Sequence, residues 1–160
     1  MKNRCFGVTA FAALWMAAGL GYAQKEPVMK HATGSFEVKL VPQGAEDKTD
    51  GSTLARMSID KQFRGDLEGS SKGEMLSAMT GVKGSAGYVA IERVTGALQG
   101  RSGSFVLQHN ATMTRGEPQL NIIVVPDSGT GQLTGLTGKF TINIADGKHS
   151  YDFEYTIADH

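Results

Sequence analysis

The ten residues Gly96-Ala97-Leu98-Gln99-Gly100-Arg101-Ser102-Gly103-Ser104-Phe105, written G-x-L-x-G-x-[ST]-G-x-F, constrain the fold more than any other stretch of this chain. They read as a strand, a tight glycine turn and a second strand. The same pattern returns at Gly131 to Phe140 (GQLTGLTGKF), and a shorter copy, G-x-L-x-G-x-[ST], stands at Gly65 to Ser71. Copies 31 and 35 residues apart predict a repeated antiparallel hairpin as the building unit.

The flanking sequence supplies strands to go with it. Phe36, Val38 and Leu40 alternate with Glu37 and Lys39, and Met57, Ile59, Lys61 and Phe63 share one face of the next strand. Between them Pro42 to Gly51 reads as a charged loop. Glu74 to Thr80 reads as a strand because glycines bound it, although Met75 and Met79 stand four apart. Gln119 to Val125 is almost continuously apolar, so the core covers one of its faces and a loop or a second subunit the other. Asp146-Gly147 signals a two-residue hairpin, after which Tyr151, Phe153, Tyr155 and Ile157 share a face. Eight or nine antiparallel strands and no helix of normal length predict an all-β chain. A single eight-stranded up-and-down β-barrel closes such strands without exposed edges and has room for one small ligand. An open sandwich is the alternative.

The N-terminus reads as a signal peptide over 1–23. Lys2 and Arg4 precede the apolar run Phe6 to Leu20, and Gly21-Tyr22-Ala23 places small residues before Gln24. The other reading is an uncleaved membrane anchor, for which the run is short. Cleavage sets the organisation as signal peptide 1–23, linker 24–30 and barrel domain 31–160, with an exported location, periplasmic or secreted. Of 160 residues 137 remain; Cys5 and Trp15 leave with the leader, so no disulfide forms. With Lys2 and Arg4 gone, 14 basic face 16 acidic side chains, which argues against a nucleic-acid partner.

Chemistry concentrates on the hairpin from Tyr88 to Met113. Setting Leu98 opposite Phe105 puts Val94 opposite His109, Glu92 opposite Ala111 and Ala90 opposite Met113, all on one apolar side. Glu92 and His109 are then diagonal neighbours inside the barrel, where a carboxylate and an imidazole perturb each other's proton affinity. Tyr88 adds a hydroxyl, and Phe105, Leu107 and Met113 add apolar walls. A one-residue bulge would instead turn Glu92 outward and Val89, Ile91 and Arg93 inward. Lys61 on its apolar face reads as a packed stem whose amine reaches water, or as a buried cation paired to a carboxylate, with Glu74 the candidate partner. His31, His109, His149 and His160 lack metal-ligand spacing, so neither a metal nor a cofactor is expected. The glycines match no phosphate loop and no nucleophile elbow.

The stretches GSAGYVAIERVTGALQGRSGSFVLQH, STLARMSIDKQFRGDLEGSSKGEMLSA and VPDSGTGQLTGLTGKFTINIADGKHSYDFEYTI resemble the bacterial domain-of-unknown-function family numbered 3224, over about Lys30 to Ile157. That resemblance implies a barrel similar to allene oxide cyclase. The pattern at Gly129 to Gly135 also resembles the hairpin of plant allene oxide cyclases and dirigent proteins, which hold apolar or aromatic substrates inside the barrel. The shared element is a turn, so it implies architecture and not activity. Three expectations follow: an exported barrel that binds a small hydrophobic ligand, with no membrane contact after cleavage and self-association through the strand at Gln119 to Val125; a cyclase or isomerase using Glu92 and His109; or a solidly packed structural barrel.

Overall fold

The computed structural model describes residues 28–158. The expected leader and most of the expected linker lie outside the described residues. Within them run the strands β1 (Lys30–Pro42), β2 (Asp47–Thr49), β3 (Ser52–Gly65), β4 (Leu67–Thr80), β5 (Ala86–Leu98), β6 (Arg101–Thr114), β7 (Glu117–Val124), β8 (Leu136–Ala145) and β9 (Lys148–Ile157), with one 3-10 turn at Gly131–Leu133. From β3 onward each strand pairs with the next, and β1 closes the circle by pairing with both β9 and β3. The result is an eight-stranded closed antiparallel barrel, not an open sandwich. β2 is an extra strand of three residues attached to β3, in the segment read as a loop.

Period-two alternation decides which side chains fill the barrel. Phe36, Phe63, Phe105, Phe140, Phe153 and Tyr155 point inward at one end and are buried. Phe105 stacks on Phe153 at 5.7 Å between ring centroids, and Phe140 on Tyr151 at 5.1 Å. Each such burial is worth roughly 1.5–3 kcal/mol, so this end is a packed core and not a pore. Leu133, on the 3-10 turn, is fully buried and belongs to the same cluster.

The central hairpin forms with a tighter turn than expected. Gln99 and Gly100 both take positive φ, 45° and 80°, which makes a two-residue connection. Leu98 therefore faces Arg101, and Phe105 faces Val94. The expected pairing of Leu98 with Phe105 is four residues out of register. Four is even, so every side chain keeps its face.

The repeated pattern does not build the same element three times. At Gly131 to Phe140 the first half is the 3-10 turn and only the second half is strand, beginning at Leu136. β7 ends at Val124, and the following loop takes its place beside β6. The Thr130 backbone N–H donates to Ser104 O at 2.8 Å, and the Ser102 N–H donates to Gln132 Oε1 at 2.9 Å. At Gly65 to Ser71 the turn falls at the start of the copy, because β3 ends at Gly65 and β4 starts at Leu67. What the copies share is inward glycine: Gly69, Gly96 and Gly103 stand in register across β4, β5 and β6. A Cβ at Gly69 or Gly96 would collide with the backbone of the neighbouring strand, so these positions allow the close approach that a curved sheet needs.

The closure is held by Tyr151, whose hydroxyl accepts the buried Leu67 N–H at 2.8 Å. Gly34 makes the room, since a Cβ there would lie 2.6 Å from that hydroxyl oxygen. Tyr151→Phe is expected to strand the Leu67 N–H and lower stability by about 1–3 kcal/mol in urea unfolding. An unchanged midpoint would show that the bond does not hold the seam.

Candidate ligand-binding site

Midway along the barrel the apolar interior is interrupted by a buried polar cluster. Glu92 on β5 is fully buried, Lys61 on β3 and His109 on β6 are 5% and 3% exposed, and Ser71 on β4 is buried beside them. Lys61 Nζ donates to Glu92 Oε1 at 2.7 Å, and His109 Nε2 lies 3.0 Å from the same oxygen. Ser71 Oγ donates to Glu92 Oε2 at 2.8 Å. Gly73 stands directly opposite Glu92, where a Cβ would fall 2.6 Å from the Glu92 Cβ. The absent side chain leaves space for the carboxylate to reach across β4 to β3. The Lys61 ammonium also sits 5.1 Å from the centroid of the Phe36 ring.

Burial alone would raise the Glu92 carboxyl. The hydrogen bond from His109, the charges of Lys61 and His109, and the Lys61 hydrogen bond outweigh burial and lower it from 4.5 to about 2. Glu92 is therefore an anion with its oxygens occupied. A proton shuttle works best with a group poised near the operating pH, and this one is far below it.

Beyond the cluster, toward the end opposite the aromatic core, the barrel opens into a cup of about 530 Å³. Met57, Met75, Met79, Met113, Tyr88 and Leu120 are among its lining residues. Methionine fits irregular apolar shapes through its unbranched, polarizable side chain. The cup reaches the seam between β7 and β8, where Ile123 and Lys139 make the one ladder pair; Leu120 and Ile144 line the cup there. Two further hollows, of about 620 and 630 Å³, lie on the outer wall over β3 to β6.

The structure sorts the sequence candidates into four places. Glu92, His109 and Lys61 meet in the buried cluster, and Tyr88 and Met113 line the cup. Glu92 points inward because the ladders of β5 with β4 and β6 run without a bulge. Phe105 and Leu107, read as pocket walls, are fully packed in the core. Glu74 is on the outside: the Arg56 guanidinium donates to it at 2.7 and 3.0 Å, and that bond and charge lower its carboxyl. Glu74 cannot be the partner of Lys61, because on β4 it has the opposite parity to Ser71, which faces inward opposite Lys61. Nor does the Lys61 amine reach water; it is the buried cation of the second reading. Sequence reasoning missed Ser71 and Gly73, and of the methionines of the cup it named Met113 but not Met57, Met75 and Met79 as lining, although Gly73 inside a strand is a signal of close approach.

These observations define a closed antiparallel barrel whose polar cluster separates a packed half from an open apolar cup. The chain belongs to the DUF3224 family, described as a protein of unknown function, whose model matches residues 32–155. It is similar to a DUF3224 protein of unknown function from Shewanella oneidensis MR-1, with a crystal structure at 1.84 Å resolution. The two share 53% identity over 82% of this chain and 100% of that chain, with a TM-score of 0.78. No curated protein matches.

Because the folded Glu92 carboxyl titrates near 2 and the free one near 4.5, its ionised form stabilises the fold above about pH 4.5, and that contribution disappears as pH falls toward 2. The difference corresponds to about 3 kcal/mol. Glu92→Gln should cost about 3–5 kcal/mol at pH 7, by leaving Lys61 buried without its counter-charge, and should flatten the acid dependence over that window. Lys61→Met combined with Glu92→Leu should recover most of the loss. Equal losses in the single and joint variants, followed by denaturant unfolding, would contradict the assignment of an uncompensated charge.

Proposed function

We propose that this protein is an exported binding barrel that holds one small apolar or aromatic molecule in the cup. The observation that carries this reading is the cup itself, an apolar volume of about 530 Å³ open at one end, within the usual size range of small-molecule sites. The positively charged, apolar leader supports export. The occupied, strongly acidic Glu92 favours binding over a cyclase or isomerase in which Glu92 exchanges protons with His109. The open cup likewise favours binding over a barrel packed from end to end.

Ala111 lines the cup and has room beside it for a larger group. Ala111→Phe should fill that space and weaken binding of a naphthalene-based fluorescent probe at least tenfold, with the far-UV spectrum unchanged. Undiminished probe binding in this variant would mean that the probe sits elsewhere, and no binding by the unaltered protein would sink the cavity reading.

Self-association belongs to the same proposal, through the outer wall of β3 to β5. β7 turns Gln119, Asn121 and Ile123 outward, of which Ile123 alone is large and apolar. On the outer wall Leu76 and Val89 are direct cross-strand partners, 57% and 52% exposed, with Leu54 and Ile91 exposed nearby. In their midst stands the Arg56–Glu74 ion pair. A surface carrying both members of an ion pair complements itself, so a second copy related by a two-fold axis can exchange the pairing while covering the apolar residues. Sedimentation should show a dimer at micromolar concentration that Leu76→Asp with Val89→Asp converts to monomer. A monomeric wild type would refute this surface.

A further inference from the structure

Tyr88 rises from a part of the inner wall that is otherwise built of small side chains. Along β5 its inward neighbours are Ala86 and Ala90, and across the two ladders it faces Ser77 on β4 and Ala111 on β6. Three of the four diagonal positions hold Met75, Met79 and Met113, and the fourth holds His109, whose ring centroid is 6.4 Å from that of Tyr88. The small neighbours leave space around the phenol, and that space is the cup, which Tyr88 lines. The Tyr88 hydroxyl has no protein hydrogen-bond partner among the described residues. No partly buried side chain there has an unpartnered polar atom sealed from solvent, so the hydroxyl is accessible from within the barrel.

Its surroundings fix what that hydroxyl can do. Burial first, and the charge of Glu92 second, raise the Tyr88 phenol above its ordinary value, so it keeps its hydrogen and can donate it. Among the inward strand residues that line the cup, Ser77 is the other polar one, and its short side chain ends close to the wall. The rest of that inward lining is methionine, alanine, proline, leucine and isoleucine. The charged residues at the rim are already paired, Arg56 with Glu74 and Glu46 with Lys48. A polar head entering the cup therefore meets one long neutral donor and no free counter-ion.

We infer that the cup takes an apolar molecule with a neutral carbonyl head, and that the carbonyl oxygen accepts a hydrogen bond from the Tyr88 hydroxyl. A carbonyl needs only a donor, which is what the wall supplies. A carboxylate would carry a charge into an apolar space with the Glu92 anion nearby and no unpaired cation to meet it. An alcohol would accept from Tyr88 and then need a further partner for its own hydrogen. A bare hydrocarbon would cover the phenol and leave its donor unsatisfied. This inference rests on the binding-barrel reading, and its test separates the failure of one from the failure of the other.

The experiment measures equilibrium binding of the mature protein to 2-acetylnaphthalene, 2-isopropenylnaphthalene, 1-(2-naphthyl)ethanol and 2-naphthoate, which share a frame and differ in the head. Tyr88→Phe should weaken 2-acetylnaphthalene about tenfold, the worth of a single hydrogen bond, and change 2-isopropenylnaphthalene, the same shape without the oxygen, by less than about twofold. The alcohol and the carboxylate should both bind the unaltered protein more weakly than the ketone. Phenylalanine keeps the ring and removes a hydroxyl without a partner in the fold, so the urea midpoint should not move. A lowered midpoint would show that the fold itself uses the hydroxyl and would overturn the assignment. Equal effects of Tyr88→Phe on the ketone and its hydrocarbon counterpart, or tightest binding of the alcohol or of 2-naphthoate, would overturn the carbonyl inference while the cup remained a binding site. Binding of none of the four would overturn both readings.

Discussion

One carboxylate organises the inside of this barrel. Glu92 collects Lys61 from β3, Ser71 from β4 and His109 from β6, so four consecutive strands converge on two oxygen atoms. In an apolar interior each partner is costly to bury alone, and together they satisfy one another. A buried ion pair adds little over a hydrophobic replacement, so its physical effect lies more in specification than in stability. A slip of one residue between β4 and β5 would leave Glu92 outside and carry Arg93 inward, with nothing to balance it. The cluster therefore ties the register of β3 to β6 to charge balance.

That cluster also divides the barrel. On one side aromatic rings fill the section, and inward glycines let β4, β5 and β6 curve tightly around them. On the other side the inward residues are methionines, alanines, serines and Tyr88, which leave the section unfilled. The contrast between the halves is one of side-chain volume at equivalent inward positions. The charges of the polar floor are settled within the cluster itself, and Tyr88 lines the cup beside it. The seam between β7 and β8 carries the single ladder pair Ile123 with Lys139, and Leu120 and Ile144 on those strands line the cup.

Much of this was legible because a strand has a period of two. The inward placement of Phe36, Met57, Ile59, Lys61, Phe63 and His109 follows from alternation, which a four-residue change of register leaves intact, whereas that of Glu92 also requires β5 to run without a bulge. The Asp146-Gly147 turn was legible for a similar reason, since its positive φ values suit that dipeptide. The repeated glycine pattern misled because a short motif fixes where backbone conformations are permitted and does not fix its neighbours. Gly131 to Leu133 became a 3-10 turn once the loop after β7 took over the hydrogen-bonding groups of β6. Glu74 shares its face with Leu76, and that apolar neighbour points to the core in the sequence but stands exposed on the outer wall in the fold, so the face holding Glu74 is the outer one.

By itself the sequence determined the all-β class, the strand order of a meander, the face of nearly every strand residue and membership of a family with one repeated glycine pattern. These depend on local periodicity and turn chemistry, which a single strand or hairpin carries. The tertiary structure alone decided that Lys61 meets Glu92 and that Phe105 and Leu107 are core while Tyr88 and Met113 line a cavity. Those outcomes depend on the circumference and shear of the closed barrel, which bring together residues 31 positions apart in the chain, as with Lys61 and Glu92. No single strand or hairpin encodes that contact, because it exists only once β3, β4 and β5 have paired in register and Gly73 has left the gap between them.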